Sequence, residues 1–309
     1  MMNPTTFLSA GTTCAADHYP ATSDALTTDA GRPVVVMAHG LSCTKDSGLA
    51  PFAQAFADAG LDVLTFDYRG FGESGGTPRQ VVSLAGQVAD LRAAIEHAAT
   101  LPGVDPGRIV LWGDSLGGGH VISAAAGRTD LAAVISVVPM VDGLAAARLA
   151  AQHHAPGQLA RSTAMGIGSK VRSALGGDHR MIPVVARPGE VGALTLSGAL
   201  EDLTSIAGPT WRNEIAADVV TELGGRGPAR DAAAMPCPWL VQIADFDRSA
   251  PPQAAAKAAF AGRAEVRHYP GDHFDLFAGK PCHDAAVRHA VLFLTRHLTP
   301  HATASAATA

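Results

Sequence analysis

The feature that most constrains the fold is a regular alternation of short apolar runs with longer Ala- and Leu-rich stretches. The runs are rich in β-branched residues and end at turn residues; they span residues 34–38, 62–66, 109–112, 133–138, 239–244 and 265–269. Such runs, without polar alternation, are typical of strands in a sheet that is covered on both faces. The stretches between them are helical in character, as at residues 49–59, 81–99 and 115–126. This rhythm predicts an α/β fold with a doubly wound, mostly parallel sheet, in which ligands bind at the carboxyl ends of the strands.

The rhythm stops over residues 142–235, which contain helical pieces separated by Gly and Pro and no clear central strand. We therefore predict that residues 1–141 and 236–299 form the α/β core and that residues 142–235 form a helical lid over the carboxyl edge of the sheet. The last residues, 300–309, are small and polar, and we expect them to be disordered.

The charge of the chain narrows the range of partners. The 309 residues carry a net charge of −5 and contain no run of Lys or Arg, which argues against a nucleic acid or an anionic membrane as the main partner. The first residues lack the basic and apolar regions of a secretory signal. The four cysteines are scattered and favour reduced thiols, so we expect a cytoplasmic protein.

The strongest functional signal is a Gly-x-Ser-x-Gly sequence, Gly113-Asp114-Ser115-Leu116-Gly117. A nucleophilic serine on a sharp strand-to-helix turn needs small residues two positions before and after it, because strand and helix approach closely there. Here the sequence follows a predicted strand and precedes an Ala-rich helix, which is the required context. Ser115 is therefore the candidate nucleophile.

A serine nucleophile needs a general base, and in this order of strands the base comes last, on a loop near the C-terminus. His273 fits, because it follows the last predicted strand in a turn-rich sequence. The other histidines lie inside that strand or on the expected terminal helix: His268, His283, His289 and His297. His273 is therefore the candidate base.

The carboxylate that orients the base is less narrowly determined. Asp247 is favoured, because it lies on the loop after the strand at residues 239–244. Asp245, two residues earlier, and Asp142, which also follows a strand, remain alternatives. Asp272 adjoins His273 in the chain, so its side chain should diverge from the imidazole, and a role in the loop is favoured.

An oxyanion needs two backbone N–H donors. One is expected from Leu116, after the nucleophile, and the other from Leu41, on the loop after the first central strand. His39 on the same loop is expected to hold the loop in shape, and Cys43 is expected to be a buried thiol that could line the pocket.

Taken together, these motifs resemble those of the α/β-hydrolase superfamily, and within it those of bacterial serine esterases and, distantly, the Xaa-Pro dipeptidyl-peptidase group. The matching segments run from residue 34 to residue 298 apart from the insertion: His39-Gly40, Asp67-Tyr68-Arg69-Gly70-Phe71-Gly72-Glu73-Ser74, Gly113 to Gly118, Asp247, and Gly271 to Phe274. The resemblance implies a triad of Ser115, Asp247 and His273 and an oxyanion hole of the Leu41 and Leu116 amides. It also implies that Arg69 and Glu73 stabilise loops. Residues 182–185 and 211–214 are similar to the helical lid of the bacterial subgroup.

The predicted function is hydrolysis of a carboxylic ester through an acyl-enzyme, with no metal and no organic cofactor. The partner is expected to be a small, partly apolar acyl substrate, since the lid contains several apolar residues that line a pocket or form the lid's own core: Met165, Met181, Leu194, Leu196, Leu200 and Leu203. The same triad also suits a thioesterase, a C–C or amide hydrolase, or an acyltransferase or cyclase. A non-catalytic ligand receptor is a remote alternative. The oligomeric state stays open, a homodimer included.

Overall fold

The protein is built on one large β-sheet, seen in a computed structural model that describes residues 2–153, 157–224 and 227–299. The strands are β1 (Asn3–Ser9), β2 (Thr12–Tyr19), β3 (Arg32–Ala38), β4 (Asp62–Phe66), β5 (Val104–Asp114), β6 (Leu131–Val137), β7 (Met181–Ile182), β8 (Ile215–Ala216), β9 (Trp239–Ala244) and β10 (Glu265–Tyr269). The large sheet has the order β1-β2-β4-β3-β5-β6-β9-β10, and β7 pairs with β8 separately. The six strands from β4 to β10 in this order run parallel. The predicted doubly wound, mostly parallel sheet is therefore confirmed.

Helices cover both faces of this sheet. They are α1 (Ala50–Asp58), α2 (Leu84–Ala98), α3 (Ser115–Ala125), α4 (Gly143–His153), α5 (Gln158–Ala174), α6 (Ala199–Ile206), α7 (Val219–Leu223), α8 (Pro252–Ala261) and α9 (His283–Leu298). Apolar residues of α1 and α9 pack on one face, and those of α2, α3 and α8 pack on the other. β4 and β9 are buried along their whole length, which explains their continuous apolar sequences.

The sequence analysis missed the N-terminal hairpin of β1 and β2. These strands pair with each other and β2 pairs with β4, in both cases antiparallel, so they add an edge to the sheet. Their turn places Ala10 and Gly11 at φ values of 44° and 78°. β1 alternates buried and exposed residues instead of forming an apolar run, because only one of its faces is covered.

The described part of residues 142–235 adds no strand to the large sheet. It contains α4 to α7 and the short β7–β8 pair, and the side chain of Asn213 exchanges two 2.9 Å hydrogen bonds with the backbone of Val185. Leu196 and Leu203 are buried, and Met165, Leu194 and Leu200 pack against the same core. These residues therefore contribute to the core of the molecule, and the lid boundary stays a prediction.

The predicted disorder of residues 300–309 lies outside the described residues. Among the described helices, none is both long enough and apolar enough to cross a bilayer.

Candidate active site

The nucleophile elbow is the junction of β5 and α3. β5 ends at Asp114, and α3 begins at Ser115, whose φ of 51° lies in the left-handed region that non-Gly residues rarely adopt. A Cβ atom at Gly113 would lie 2.3 Å from the carbonyl oxygen of Gly117, and one at Gly117 would lie 2.2 Å from that of Ala38. Both positions therefore need glycine, as the motif predicts, and the turn presents Ser115 at the carboxyl edge of the sheet.

Three side chains from distant parts of the chain meet at this elbow. His273 Nε2 lies 3.0 Å from Ser115 Oγ, and His273 Nδ1 lies 2.7 Å from Asp247 Oδ2. With Nδ1–H donating to the carboxylate, Nε2 is free to accept the hydroxyl proton. Asp247 and His273 are 3% and 5% exposed, so water screens their interaction little. The arrangement suits removal of a proton from Ser115.

The second carboxylate oxygen of Asp247 is also satisfied. Asp247 Oδ1 accepts the backbone N–H groups of Ser249 and Ala250, each at 2.7 Å. These bonds hold the carboxylate in place on the loop after β9 and leave Oδ2 for the imidazole. Sequence reasoning gave no signal for these two backbone donors.

The alternative acids lie in other contacts. Asp245 Oδ1 is 2.6 Å from Nδ1 of His268 in an exposed pair. Asp142 Oδ1 accepts the N–H of Ala145 at the start of α4. Asp272 binds Arg248 and the backbone N–H of His273, so it orders the loop. The structure therefore brings Asp247, and neither alternative, to His273.

The alternative histidines also have other neighbours. His283 Nδ1 lies 3.1 Å from the carbonyl oxygen of Leu276, and His289 Nδ1 lies 2.9 Å from the hydroxyl of Tyr269. His297 packs edge-on against Phe293, with 4.7 Å between the ring centroids. The contacts of these three histidines therefore lie within the C-terminal part of the chain, from Tyr269 to His297.

The loop after β3 lies directly against the nucleophile. A Cβ atom at Gly40 would lie 3.2 Å from Cβ of Ser115 and 2.8 Å from Oδ2 of Asp114. His39 is buried, donates from Nδ1 to the Gly40 carbonyl oxygen at 3.1 Å, and packs edge-on against Tyr68. This is the loop-holding role predicted for His39. The oxyanion roles of the Leu41 and Leu116 amides stay a prediction, which the proximity of this loop favours.

Electrostatics favour proton acceptance by His273. Burial alone lowers the pKa of the imidazole, but the charge and hydrogen bond of Asp247 outweigh it, so the pKa is raised above 6.5. The raised pKa makes His273 a stronger base for the serine proton. Asp247 also stabilises the imidazolium that forms during proton transfer.

Asp114 is the site residue whose role sequence reasoning missed. It directly precedes Ser115, is 4% exposed, and accepts a hydrogen bond from the Gly40 backbone. Burial raises its pKa to about 7, although the charge of His273 opposes the shift. Its Oδ1 has no partner among the described residues. The only sequence signal was a charged residue inside the buried elbow, which the motif leaves variable.

The segment from Asp67 to Ser74 is held in place by hydrogen bonds and ion pairs. The Asp67 carboxylate accepts the backbone N–H groups of Lys45 at 2.7 Å and Glu73 at 2.9 Å. Arg69 Nε donates to Asp90 at 2.5 Å, and Glu73 pairs with Lys45 at 3.0 Å. These contacts match the loop-stabilising roles implied for Arg69 and Glu73.

Comparison with known proteins identifies the family. Residues 29–176 match the model of a hydrolase family described as serine aminopeptidase, S33. The chain is 34% identical over 275 residues to the quorum-quenching protein AidA of Acinetobacter baumannii (strain MDR-ZJ06), a match that covers 87% of this chain and 88% of the relative. The protein belongs to the α/β-hydrolase superfamily.

Other relatives in the superfamily add to this assignment. The crystal structure of the α/β hydrolase GrgF from Penicillium sp. sh18 superposes with a TM-score of 0.78 over 96% of this chain and 99% of that chain, at 22% identity, which confirms the fold. The thiohydrolase AneE of Aspergillus aculeatus is 39% identical over 114 residues, which cover 37% of this chain and 36% of the relative. The sequence-based resemblance to this superfamily is therefore confirmed.

Metal-binding groups and reactive thiols are the other features of this α/β hydrolase that could support chemistry. Among residues 2–153, 157–224 and 227–299, no group of three or more His, Cys, Asp and Glu side chains is arranged to hold a metal ion. Cys43 is buried near the nucleophile, and burial raises the pKa of its thiol well above the usual range. A buried, protonated thiol is a poor nucleophile.

Proposed function

We propose that the protein is a serine hydrolase that cleaves a carboxylic ester through an acyl-enzyme. The observation that carries the proposal is the chain of contacts from Ser115 Oγ through the imidazole of His273 to Asp247, at 3.0 and 2.7 Å. Ser115 has a left-handed backbone conformation at a strand-to-helix junction, and a buried His–Asp pair lies beside it. This arrangement activates a hydroxyl for acyl transfer.

In the proposed reaction, Ser115 Oγ attacks the ester carbonyl while His273 Nε2 takes the hydroxyl proton. The Leu41 and Leu116 amides hold the oxyanion. When the tetrahedral intermediate collapses, the bond from the carbonyl carbon to the alcohol oxygen breaks and His273 returns its proton to that oxygen. A water molecule then loses a proton to His273 and attacks the acyl-enzyme, which releases the acid and restores Ser115.

A thioester is the second candidate substrate. Relatives of this chain carry the names thiohydrolase and polyketide transferase. The same triad serves all of these reactions, because only the leaving group or the acceptor differs.

The test is turnover of p-nitrophenyl esters of increasing acyl length, with fluorophosphonate labelling read by mass spectrometry in parallel. We expect ester turnover and a label on Ser115, and we expect Ser115→Ala to abolish both, with a fall in kcat of about 10³-fold or more. Ser205→Ala, an exposed serine on α6, is the matched control and should leave both unchanged.

Two outcomes would contradict the ester proposal. Labelling of Ser115 without ester turnover would leave an active nucleophile, and parallel assays with acyl thioesters would then distinguish the second candidate. Failure of both labelling and turnover in correctly folded protein would exclude a serine hydrolase and favour a ligand receptor on the same fold.

A further inference from the structure

A groove of about 550 Å³ runs beside the catalytic serine, between α2 and α3. Its walls include Leu84 and Val88 of α2 and one face of α3, formed by Leu116, Gly119, His120 and Ser123. A strip of the chain covers it, and includes Glu222, Leu223, Pro228 and Asp231. We call this cavity the α2–α3 groove and these four residues the covering strip. Its volume lies in the range of small-molecule sites, about 300–1,000 Å³.

The inner end of the α2–α3 groove adjoins the backbone of Ser115. Leu116 directly follows Ser115 and supplies the amide proposed for the oxyanion hole. Met140, which also lines the groove, donates its N–H to the carbonyl oxygen of Ser115 at 2.8 Å. An acyl group on Ser115 would therefore be attached to the residue that directly precedes the groove wall at Leu116.

The covering strip is tied to both helices. Glu222 Oε1 accepts the backbone N–H of Leu84 at the start of α2, at 3.0 Å, and Asp231 Oδ2 accepts the Ser123 hydroxyl of α3, at 2.6 Å. A Cβ atom at Gly119 would lie 3.0 Å from Cγ of Pro228, so the glycine lets the strip lie close to α3. The groove is therefore preformed, and binding in it costs little ordering of the protein.

The polarity of the groove changes along its length. The inner end is mainly apolar, with Leu84, Val88, Leu116, Met140 and Leu223. Its two carboxylates, Asp142 and Glu222, each accept a backbone N–H group. His120 belongs to this apolar part, because burial lowers its pKa to about 3 and its Nε2 lies 2.9 Å from Oε1 of Gln87. The far end is polar. There Arg92 donates a hydrogen bond to the Ser123 carbonyl oxygen at 3.1 Å, and Nε of Arg230 lies 3.7 Å from Oδ1 of Asp231.

We propose that the α2–α3 groove binds the acyl chain of the substrate and selects a chain of medium length that is apolar near the carbonyl and polar at its far end. The α3 wall from Leu116 to Ala126 spans about 15 Å at ~1.5 Å per residue, which sets the length of chain that the groove accommodates. This inference rests on the proposed ester hydrolysis and names the substrate class of that site.

Substitution at Val88 tests the groove. Val88→Trp fills it from the α2 wall, whereas Ala89→Trp places the same side chain at the next, exposed position of α2, outside the groove, and serves as the control. We expect Val88→Trp to lower kcat/KM for p-nitrophenyl decanoate by about tenfold or more, because each methylene lost from an apolar pocket costs substantially. Turnover of the acetate ester should change less than about twofold, since its acyl group ends before the groove.

A second set of measurements separates the acyl from the alcohol portion and tests the polar end. Acetate esters of long-chain alcohols should be insensitive to Val88→Trp, and a loss confined to this series would overturn the acyl assignment. The wild type should prefer ω-hydroxydecanoyl over decanoyl esters, and Arg92→Ala should reduce that preference. Equal rates for the two esters in the wild type would contradict the proposal that the far end of the groove binds a polar group of the acyl chain.

Misfolding of Val88→Trp and failure of the proposed ester hydrolysis can each be distinguished from failure of the groove assignment. Should Val88→Trp fail to fold by circular dichroism, Val88→Ala widens the same wall and should raise turnover of branched acyl chains relative to acetate. If turnover depends on acyl chain length in both variants as it does in the wild type, the groove does not bind the acyl chain. A wild type that neither reacts with a short fluorophosphonate nor cleaves the acetate ester would overturn the serine hydrolase itself, and the groove assignment with it.

Discussion

At the scale of single residues, Asp245 and Asp247 show how two equal side chains on one loop take different roles. They are two positions apart, yet Asp245 faces outward to His268, whereas Asp247 is buried against His273. Two backbone N–H groups bind Oδ1 of Asp247 and set the direction of Oδ2. The partners of each carboxylate, and not its type, therefore decide which aspartate supports the imidazole.

Replacement of each aspartate by asparagine tests this difference. Asp247→Asn keeps the size of the side chain but removes the charge that stabilises the imidazolium and favours the wrong tautomer, so kcat should fall by about 10³- to 10⁴-fold. Asp245→Asn is the matched control and should change kcat less than about twofold, because its partner His268 is exposed. Steady-state kinetics with a p-nitrophenyl ester measure both. Comparable losses in the two variants would contradict the assignment of Asp247.

At the scale of elements, the junction of β5 and α3 depends on close backbone contact. The positions of Gly113 and Gly117 leave no space for a Cβ atom, because backbone carbonyl oxygens lie in its place. The backbone is therefore sterically constrained in the same turn that holds Ser115 at φ 51°.

Gly117→Ala tests this constraint. Its Cβ would lie 2.2 Å from the Ala38 carbonyl oxygen, so the variant should lose about 3 kcal/mol of unfolding free energy, at the upper end of overpacking costs, together with activity. Gly168→Ala on α5 is the control, since no atom lies within 4 Å of its Cβ position. It should gain roughly 0.5–1 kcal/mol from helix propensity. Urea denaturation measures both values, and equal effects of the two variants would contradict the constraint.

At the scale of the whole molecule, the fold buries carboxyl groups that unfolded chains expose to water. Burial raises the pKa of Asp114 from 3.8 to about 7, and that of Asp67 to about 6. Asp114 lies near His273, Cys43 and Tyr68, which come from three different parts of the chain. The cost of ionising Asp114 is therefore a property of the tertiary structure.

The stability of the protein should consequently depend on pH through Asp114. Between pH 4 and 7 the folded state retains a proton that the unfolded state has lost, so this group lowers the unfolding free energy as pH rises. Asp114→Asn removes that dependence. Relative to the wild type, its unfolding free energy should rise between pH 4 and pH 8 by up to about 4 kcal/mol, at ~1.36 kcal/mol per pKa unit.

Urea denaturation of both proteins at several pH values measures this difference. Any effect of the amide on local packing is the same at every pH and cancels in the trend. A difference that stays constant from pH 4 to pH 8 would show that Asp114 is ionised throughout and would contradict the raised pKa.

The sequence by itself determined the parallel core, the elbow and the order of the candidate triad. Buried strands need continuous apolar runs, and a nucleophile elbow needs glycine on both sides of Ser115, so both leave marks on consecutive residues. The edge hairpin of β1 and β2 left no such mark, because only one of its faces is covered.

Only the tertiary structure decided which aspartate meets His273, why the pKa of Asp114 is raised, and where a groove lies beside Ser115. These features depend on groups far apart in the chain: the pairing of Asp247 with His273, the burial of Asp114 against Gly40, and the covering of α2 and α3 by Glu222, Leu223, Pro228 and Asp231. Distance and burial set their energies, and neither is expressed in the spacing of residues along the chain.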